Sequence, residues 1–242
     1  MNWKILGFGL LLLPLLIGMG IWQWQRAVEK EAYLSRFNEL LQAPAGDWQT
    51  LQAQPLQYQR IQLTGFYLSG NDWLVDNQVN QGQFGYRVYT PFCHSQNCIL
   101  VDRGWVKGDL NRAILPVLNK PEGTLTILGR LDKLSKNPVI GDSGPLSIPP
   151  YRVQQLTIDS VRKFLRATPP ESAADRHTDD APMNISLSSW VVRLNDGQPG
   201  HFIVTWKPVV IGPAKHYGYA FQWFAMAVAL IILMLYLKIK QR

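Results

Sequence analysis

The sequence of 242 residues has few charged side chains. They make up 17% of the chain, whereas roughly a quarter is usual for soluble domains. The shortage is concentrated in residues 5–25 and 217–237, which contain no charged side chain at all. At about 1.5 Å per residue, either stretch can cross a hydrocarbon layer of roughly 30 Å as a helix. A freely soluble protein is therefore excluded, and we expect two transmembrane helices with these bounds.

The chain also lacks an excess of positive charge between those two segments. Its formal net charge is +7, but four of the positive charges lie on Lys4, Lys238, Lys240 and Arg242, so that +3 remains for everything between them. A nucleic-acid-binding domain carries a concentrated basic surface. Nucleic acid is therefore not expected as a partner.

Motifs for enzyme chemistry are missing too. The sequence contains no glycine-rich phosphate loop, no H-E-x-x-H and no nucleophile elbow. The run Gly141-Asp142-Ser143-Gly144-Pro145 is similar to the nucleophile motif of trypsin-like proteases, but it lacks one glycine of that motif. Those glycines shape the backbone amides that stabilise the oxyanion. We therefore expect a polar turn at Ser143 and a protein that is not an enzyme.

The charges beside the apolar segments predict the topology. Bulky residues follow the first segment where a signal peptide would have a small-residue cleavage site, so we expect an uncleaved anchor. Lys215 precedes the second segment and Lys238, Lys240 and Arg242 follow it, which predicts a cytoplasmic carboxyl end. Both termini are then cytoplasmic, and residues 26–216 form a periplasmic domain of a bacterial inner-membrane protein.

Only two cysteines are present, and they lie close together. Cys93 and Cys98 stand between two strand-like runs, where a disulfide could close a hairpin in an oxidising compartment. Unpaired thiols remain possible, as does a metal site with His94 as third ligand. The metal alternative is weakened because no other His or Cys lies near them in sequence.

Hydrophobic spacing predicts a mainly β middle domain. Residues 26–42 have helical spacing and should continue the first helix, after which the period changes to two. The phase of this alternation shifts across Gly65, which predicts a bulged strand. Strands are predicted at residues 60–68, 72–76, 84–92, 98–106, 124–131, 185–194 and 202–211. We therefore expect an α+β membrane protein with an antiparallel sheet or small barrel between two transmembrane helices.

One helix and one insertion interrupt these strands. Thr157 can cap the helix, with Leu156 and Val161 at the spacing of a hydrophobic staple, and the helix should end before Pro169. Residues 168–184 contain prolines and acidic residues with almost no large apolar side chain. We predict a mobile surface insertion there.

Two aromatic clusters mark the predicted outer membrane surface. Trp22 and Arg26 lie one helical turn apart at the end of the first segment, and His216 precedes an aromatic run at the start of the second. Both clusters are typical of the aromatic belts that anchor spans at the interface. His216 could alternatively ligate the iron of a flat apolar cofactor at the membrane surface. The clusters lie on the same side, so the two spans are predicted to pair there.

Several motifs, in order along almost the whole chain, resemble the surfeit-locus family of cytochrome c oxidase assembly factors. They are Gly20-Ile21-Trp22-Gln23-Trp24-Gln25-Arg26, Arg60-Ile61-Gln62-Leu63-Thr64-Gly65-Phe66, Thr90-Pro91-Phe92, Leu100-Val101-Asp102-Arg103-Gly104-Trp105-Val106 and His216-Tyr217-Gly218-Tyr219-Ala220-Phe221-Gln222-Trp223-Phe224. The family often has an Asn shortly before the last His, where this chain has Pro213-Ala214-Lys215. A hydrogen bond from that Asn is therefore not expected here.

The resemblance implies a function in building haem-copper oxidases. The protein would bind or present haem a, stably or transiently, for insertion into the catalytic subunit of cytochrome c oxidase, with haem a synthase as a further partner. His216 would ligate the iron, and the aromatic rings that would cover the porphyrin belong to Trp22, Trp223 and Phe224. The alternative is a cofactor-free membrane scaffold that stabilises oxidase subunits during assembly.

The remaining motif residues are expected to be structural. Gln23, Arg26 and Tyr219 belong to the motifs at the membrane surface. Asp102, Arg103 and Gly104 should hold the outer domain together through an ion pair and a turn rather than touch a ligand.

Overall fold

A computed structural model describes residues 3–48, 55–68, 70–109, 111, 114–119, 121–134, 149–167, 185–206 and 211–240. Within these residues the chain forms two compact units. One comprises residues 1–39 and 207–242, and the other Leu40–Trp206. The predicted turn at Ser143 and the predicted insertion at residues 168–184 lie outside the described residues.

The first unit consists of two long helices, α1 (Trp3–Gln42) and α3 (Pro213–Lys240). Both are long and apolar enough to cross a membrane, which supports the predicted spans. Helix α1 runs unbroken past Arg26 to Gln42, as the helical spacing of residues 26–42 predicts.

Small residues allow the two helices to pack closely. A Cβ on Gly9 would lie 2.6 Å from Sδ of Met234, and one on Gly20 would lie 2.6 Å from a ring carbon of Phe224. Ala27 of α1 and Ala220 of α3 are buried as well. Helices pair in membranes largely through such close backbone approach, because lipid offers no hydrophobic drive for association.

The second unit contains one helix, α2 (Ile158–Ala167), and a β-sheet. The strands are β1 (Gly46–Asp47), β2 (Arg60–Tyr67), β3 (Trp73–Asn80), β4 (Gln83–His94), β5 (Asn97–Lys107), β6 (Leu125–Asp132), β7 (Tyr151–Val153) and β8 (Ser186–Leu194). Five strands close a barrel in the order β2-β6-β8-β5-β4, because β4 also pairs with β2. The predicted α+β fold with a mainly antiparallel sheet or small barrel is confirmed.

Apolar clusters lie on the two faces of the barrel wall. One packs beneath α2 and includes Trp73 and Val161; the other includes Ile61 and Ile127. The cap of α2 forms as predicted, since Oγ1 of Thr157 accepts a hydrogen bond from the backbone N–H of Ser160 at 3.1 Å.

The bulge predicted at Gly65 is wrong. Strand β2 pairs with β6 without a register shift from Arg60 to Gly65, and then pairs with β4 from Phe66. Where β2 changes its partner, Phe66 packs against the apolar cluster beneath α2. The face of β2 that carries Phe66 is therefore covered by that cluster. Gly65 is required at this crossover, because a Cβ there would overlap the carbonyl oxygen of Cys93.

The strand predicted at residues 202–211 is also wrong for its described part. Among residues 202–206, Ile203 forms a single bridge with Trp105, and residues 207–210 are outside the described residues. Strand β8 already pairs with β5 as far as Asp102, which leaves only the end of β5 for this segment. The short strands β1 and β7 carry too few residues for their period to be recognised in the sequence.

Candidate functional site

The two long helices meet at a hydrogen bond between Gln23 and His216. The Nδ1 atom of His216 lies 2.8 Å from Oε1 of Gln23. His216 is half-buried at the first turn of α3, and Gln23 is half-buried on α1. Gln23 lies three residues after Gly20 and four before Ala27, so these residues share one face of α1. The hydrogen bond therefore lies on the seam where α1 and α3 pack.

This contact favours one tautomer of the imidazole. A carboxamide oxygen can only accept, so Nδ1 of His216 donates its proton to Gln23. In the neutral ring the lone pair is then on Nε2. Metal-ligating histidines are commonly oriented in this way, with one nitrogen donating to an oxygen and the other ligating. The imidazole of His216 is thus set in a form that can coordinate a metal through Nε2.

Aromatic side chains surround this seam. Trp24 contacts Tyr217 edge-on, with ring centroids 5.2 Å apart, and the hydroxyl of Tyr217 donates to Oε2 of Glu31 at 2.9 Å. These contacts tie α3 to the part of α1 beyond the apolar segment. They confirm that the two predicted aromatic clusters pair.

The predicted porphyrin-covering residues lie on different faces. Trp22 is 45% exposed, and the Cζ atom of Arg26 lies 5.9 Å above its ring, as their spacing predicted. Phe224 packs on Gly20 inside the seam. Trp223, next to Phe224, is half-buried, and Tyr219 is 49% exposed.

In the barrel unit, Arg103 is the centre of a buried polar cluster. Its side chain is 1% exposed and pairs with Asp72, Nη1 to Oδ1, at 3.2 Å. The guanidinium also donates to the carbonyl oxygens of Gly200, at 2.7 Å, and Asn119. The ring of Tyr67 lies 5.0 Å from its Cζ. Burial lowers the pKa of Arg103, and Asp72 opposes that shift.

Asp102 and Gly104 organise the backbone around Arg103. Strand β5 has one extra residue here relative to β4, and Gly104 adopts φ 109°, which favours glycine. The carboxylate of Asp102 accepts from the Gly104 N–H at 3.1 Å and forms a close ion pair with Arg193. Burial alone would lower the pKa of Arg193, but Asp102 and other neighbours outweigh burial and raise it. The three motif residues therefore brace the fold of the barrel.

The cysteines lie at the tip of the β4–β5 hairpin. The structure joins Cys93 and Cys98 in a disulfide, with Cα atoms 4.1 Å apart. Nδ1 of His94 lies 3.0 Å from the carbonyl oxygen of Thr64. Within the described part of the chain, no group of three or more His, Cys, Asp or Glu side chains could hold a metal ion. The oxidation state of the cysteines in the cell stays a prediction.

Sequence reasoning assigned Gln23 a structural role and missed its contact with His216. The signal was present, since Gln23 and His216 both stand at the predicted outer ends of their apolar segments. Because this chain lacks the family's Asn shortly before His216, no hydrogen-bond partner for His216 was expected on its own helix. In the structure, the hydrogen-bond partner of His216 comes from α1 instead.

Comparisons with known proteins agree with the motif pattern. A model of the SURF1 family matches residues 10–228. A SURF1-like protein of Rickettsia felis is 32% identical over 99 residues, which cover 40% of this chain and 43% of the relative. A SURF1-like protein of Rickettsia bellii is 33% identical over 94 residues, which cover 38% of this chain and 39% of that relative. The chain thus matches less than half the length of these two curated relatives.

Proposed function

The chain belongs to the SURF1 family, and from this membership we propose that it is an assembly factor for a haem-copper terminal oxidase. It binds or presents haem a for insertion into the catalytic subunit of cytochrome c oxidase, and haem a synthase is its proposed haem donor. It performs no chemical conversion of its own. It acts in the bacterial inner membrane, with both termini cytoplasmic and the barrel unit periplasmic.

One contact supports this function more than any other, the hydrogen bond from Nδ1 of His216 to Gln23. A histidine that merely anchors a span at the interface needs no fixed tautomer. A histidine that ligates iron would need one, because iron would bind the nitrogen that carries the lone pair. The residues present therefore fit a haem: an oriented imidazole, half-buried, on a surface rich in aromatic side chains.

Haem, when bound, supplies an iron that accepts the Nε2 lone pair and a flat apolar face. In this role His216 would hold the group, and Gln23 would keep the imidazole oriented. Trp22 and Trp223 are the rings available to exclude water, since neither is fully buried. Phe224 contributes through the packing of α3 on Gly20. Membrane lipid surrounds the remaining faces of the two spans.

The test is a visible spectrum of protein expressed alongside haem a synthesis. We expect a Soret band in the wild type that His216→Ala loses or shifts. Membrane level and protease resistance should stay normal, because a hydrogen bond between membrane helices contributes only about 0.6 kcal/mol on average. His201→Ala is the matched control, because His201 is also partly exposed but lies in the barrel unit, where it pairs with Asp196.

A cofactor-free scaffold is the alternative outcome of this experiment. If wild-type protein carries no haem yet still co-purifies with oxidase subunits, the haem role is wrong and the scaffold takes its place. The same conclusion follows if His216→Ala keeps an unchanged spectrum and full oxidase assembly. Equal loss of the band in His201→Ala would also count against a specific role for His216.

The topology is tested separately with reporter fusions. A periplasm-active reporter should be silent when fused at residue 242 and active within residues 168–184. The reverse pattern would place the barrel unit in the cytoplasm and contradict the proposed site of action.

A further inference from the structure

Helix α3 has a second face with small residues, on the side turned away from α1. Its four members follow one another at spacings of four, three and four residues, so they form a single stripe along the helix. They are Gly218, Gln222, Ala225 and Ala229, and all four are exposed. Ala220 and Ala227 lie on the opposite side of the helix and are buried. We call the exposed stripe the outward face of α3.

The seam between α1 and α3 shows how this helix pairs with another. The seam combines small residues such as Ala220 with one carboxamide, that of Gln23, whose oxygen lies 2.8 Å from Nδ1 of His216. The outward face has the same composition, because Gln222 places a carboxamide among glycine and alanine residues. Close backbone approach and side-chain hydrogen bonds are the two means by which helices associate in membranes. The outward face is therefore suited to a second helix.

The position of Gln222 indicates that this face has a partner in the membrane. Gln222 lies five residues, or about 8 Å, beyond the first residue of the apolar segment that begins at Tyr217. No described residue forms a hydrogen bond with its carboxamide. In a monomer this side chain would meet lipid, and an amide in an apolar environment without a hydrogen bond costs free energy. Polar side chains within membrane spans accordingly face other helices rather than lipid.

The chemistry of the carboxamide favours a second copy of the same chain as that partner. A carboxamide has an acceptor oxygen and two donor hydrogens, so two carboxamides can form reciprocal hydrogen bonds. Both copies insert in the same direction, and Gln222 of each copy therefore lies at the same depth. A two-fold axis brings the same surface of each copy into contact. The outward face has no charged side chain that would repel its own copy.

We propose that the outward face of α3 pairs with the same face of a second copy of this chain. The two Gln222 side chains hydrogen-bond to each other, and the small residues allow the helices to approach closely. The second copy replaces lipid on this face. Spacings of four and three residues suit a left-handed crossing of the two helices. His216 and Phe224 lie on the side of α1 and take no part, so the pairing can be tested whether or not the protein binds haem.

The first experiment is sedimentation equilibrium of the purified full chain in an uncharged detergent of matched density. We expect a reversible dimer. Gln222→Leu removes the reciprocal hydrogen bonds and should weaken the dimer by about three- to tenfold, because hydrogen bonds between membrane helices are modest in strength. Ala225→Leu puts a bulky side chain into the close contact and should weaken it by more than about tenfold. Val228→Leu is the matched control, since Val228 is 54% exposed but lies beside the outward face, and it should dimerise like the wild type.

Disulfide crosslinking in native membranes gives a second measurement without detergent. Ala229→Cys places a thiol on the outward face, whereas Val228→Cys places one at nearly the same depth beside it. After mild oxidation, Ala229→Cys should form a covalent dimer and Val228→Cys should not. The native cysteines are the same in both variants and do not affect this comparison. Adding Gln222→Leu to Ala229→Cys should reduce the yield of covalent dimer.

The pairing is overturned if the wild type is monomeric in detergent and Ala229→Cys gives no dimer in membranes. It is also overturned if Ala225→Leu and Val228→Leu dimerise equally well, because the contact would then lie elsewhere. A crosslink from Ala229→Cys to a different protein, and none to its own copy, would assign the outward face to another partner. If Ala225→Leu fails to accumulate, Gln222→Leu decides by the same comparison, and where the two measurements differ the result in membranes decides.

Discussion

The paired helices and the barrel differ in how deeply their polar side chains are buried. Along the seam between α1 and α3, the pairing relies on small residues such as Gly20 and on the hydrogen bond between Gln23 and His216, both half-buried. In the barrel, Arg103 and Asp72 are almost completely buried, with side chains 1% and 4% exposed. The helix pair thus keeps its polar groups near the surface, whereas the barrel uses buried charges as structural elements.

This difference indicates which residues contribute mainly to stability and which contribute mainly to function. Removing one member of a buried ion pair leaves the other charge without compensation, which is strongly destabilising. Removing a half-exposed polar group lets water replace it at small cost. We therefore expect substitutions in the barrel to change the free energy of unfolding, and substitutions around His216 to change ligand properties with little effect on stability.

The largest effect is expected from Arg103→Leu. It removes the positive charge that pairs with the buried carboxylate of Asp72, which then keeps the hydrogen bond from Thr90 but no longer its ion pair with Arg103. This loss should cost about 3–5 kcal/mol of unfolding free energy. Arg103→Lys keeps the charge but loses the fork that reaches Gly200 and Asn119, so its cost should be intermediate. Chemical unfolding of the purified chain measures both. A cost no larger than that of Arg166→Leu would contradict a bracing role for Arg103.

The next effect is a loss of barrel stability at alkaline pH. Burial, with help from the charge of Asp102, raises the pKa of Tyr89 to about 12 from 10.0. The folded state therefore favours the neutral phenol. This contribution is fully present below about pH 10 and is lost between pH 10 and 12, and two pKa units correspond to roughly 3 kcal/mol.

Tyr89→Phe tests this pH dependence. The variant has no phenol to titrate there, so its unfolding free energy should fall less steeply between pH 10 and 12 than that of the wild type. The slope is the relevant quantity, because the loss of the hydroxyl also changes stability at neutral pH. Tyr67, whose pKa burial also raises to about 12, remains in the variant and accounts for a residual slope. Parallel curves for the two proteins would show that Tyr89 does not contribute.

A smaller effect concerns the hairpin tip. Closing the short loop between Cys93 and Cys98 restricts the unfolded chain and should be worth about 2 kcal/mol. Dithiothreitol should lower the stability of the wild type by about this amount and leave the double variant Cys93→Ala, Cys98→Ala unaffected. Thiol labelling of unreduced, denatured protein should find no free cysteine. Two reactive thiols in cells with intact oxidative machinery would contradict both the disulfide and the periplasmic placement of the barrel.

The sequence predicted the periodic elements of the fold well. Long apolar segments and alternating strands are local patterns, and the helices and six of the seven predicted strands follow them. The errors at Gly65 and at residues 202–206 have a common cause. At Gly65 the strand changes its pairing partner, and at residues 202–206 most of β5 is already paired with β8. The identity of a strand's partner is a long-range property that alternation does not encode.

The candidate site was predicted only in part for the same reason. Residue type and position at the end of an apolar segment identified His216, and helical spacing identified the contact of Trp22 with Arg26. The pairing of His216 with Gln23 joins residues 193 positions apart. It depends on the register between two helices, which no local pattern specifies.

The smallest effect on stability is expected for Gln23→Leu, and this variant tests the comparison most sharply. Hydrogen bonds between helices in membranes contribute about 0.6 kcal/mol on average, so the helix pair should persist. Without the acceptor, however, the proton of the His216 imidazole is no longer directed to Nδ1. In protein expressed alongside haem a synthesis, we therefore expect a shifted or weakened Soret band at a normal protein level. Gln23→Glu keeps an acceptor oxygen and should retain the band, because a carboxylate can orient the ring as well. If Gln23→Leu and the wild type gave the same spectrum, or if Gln23→Leu unfolded as readily as Arg103→Leu, Gln23 would not act by positioning His216.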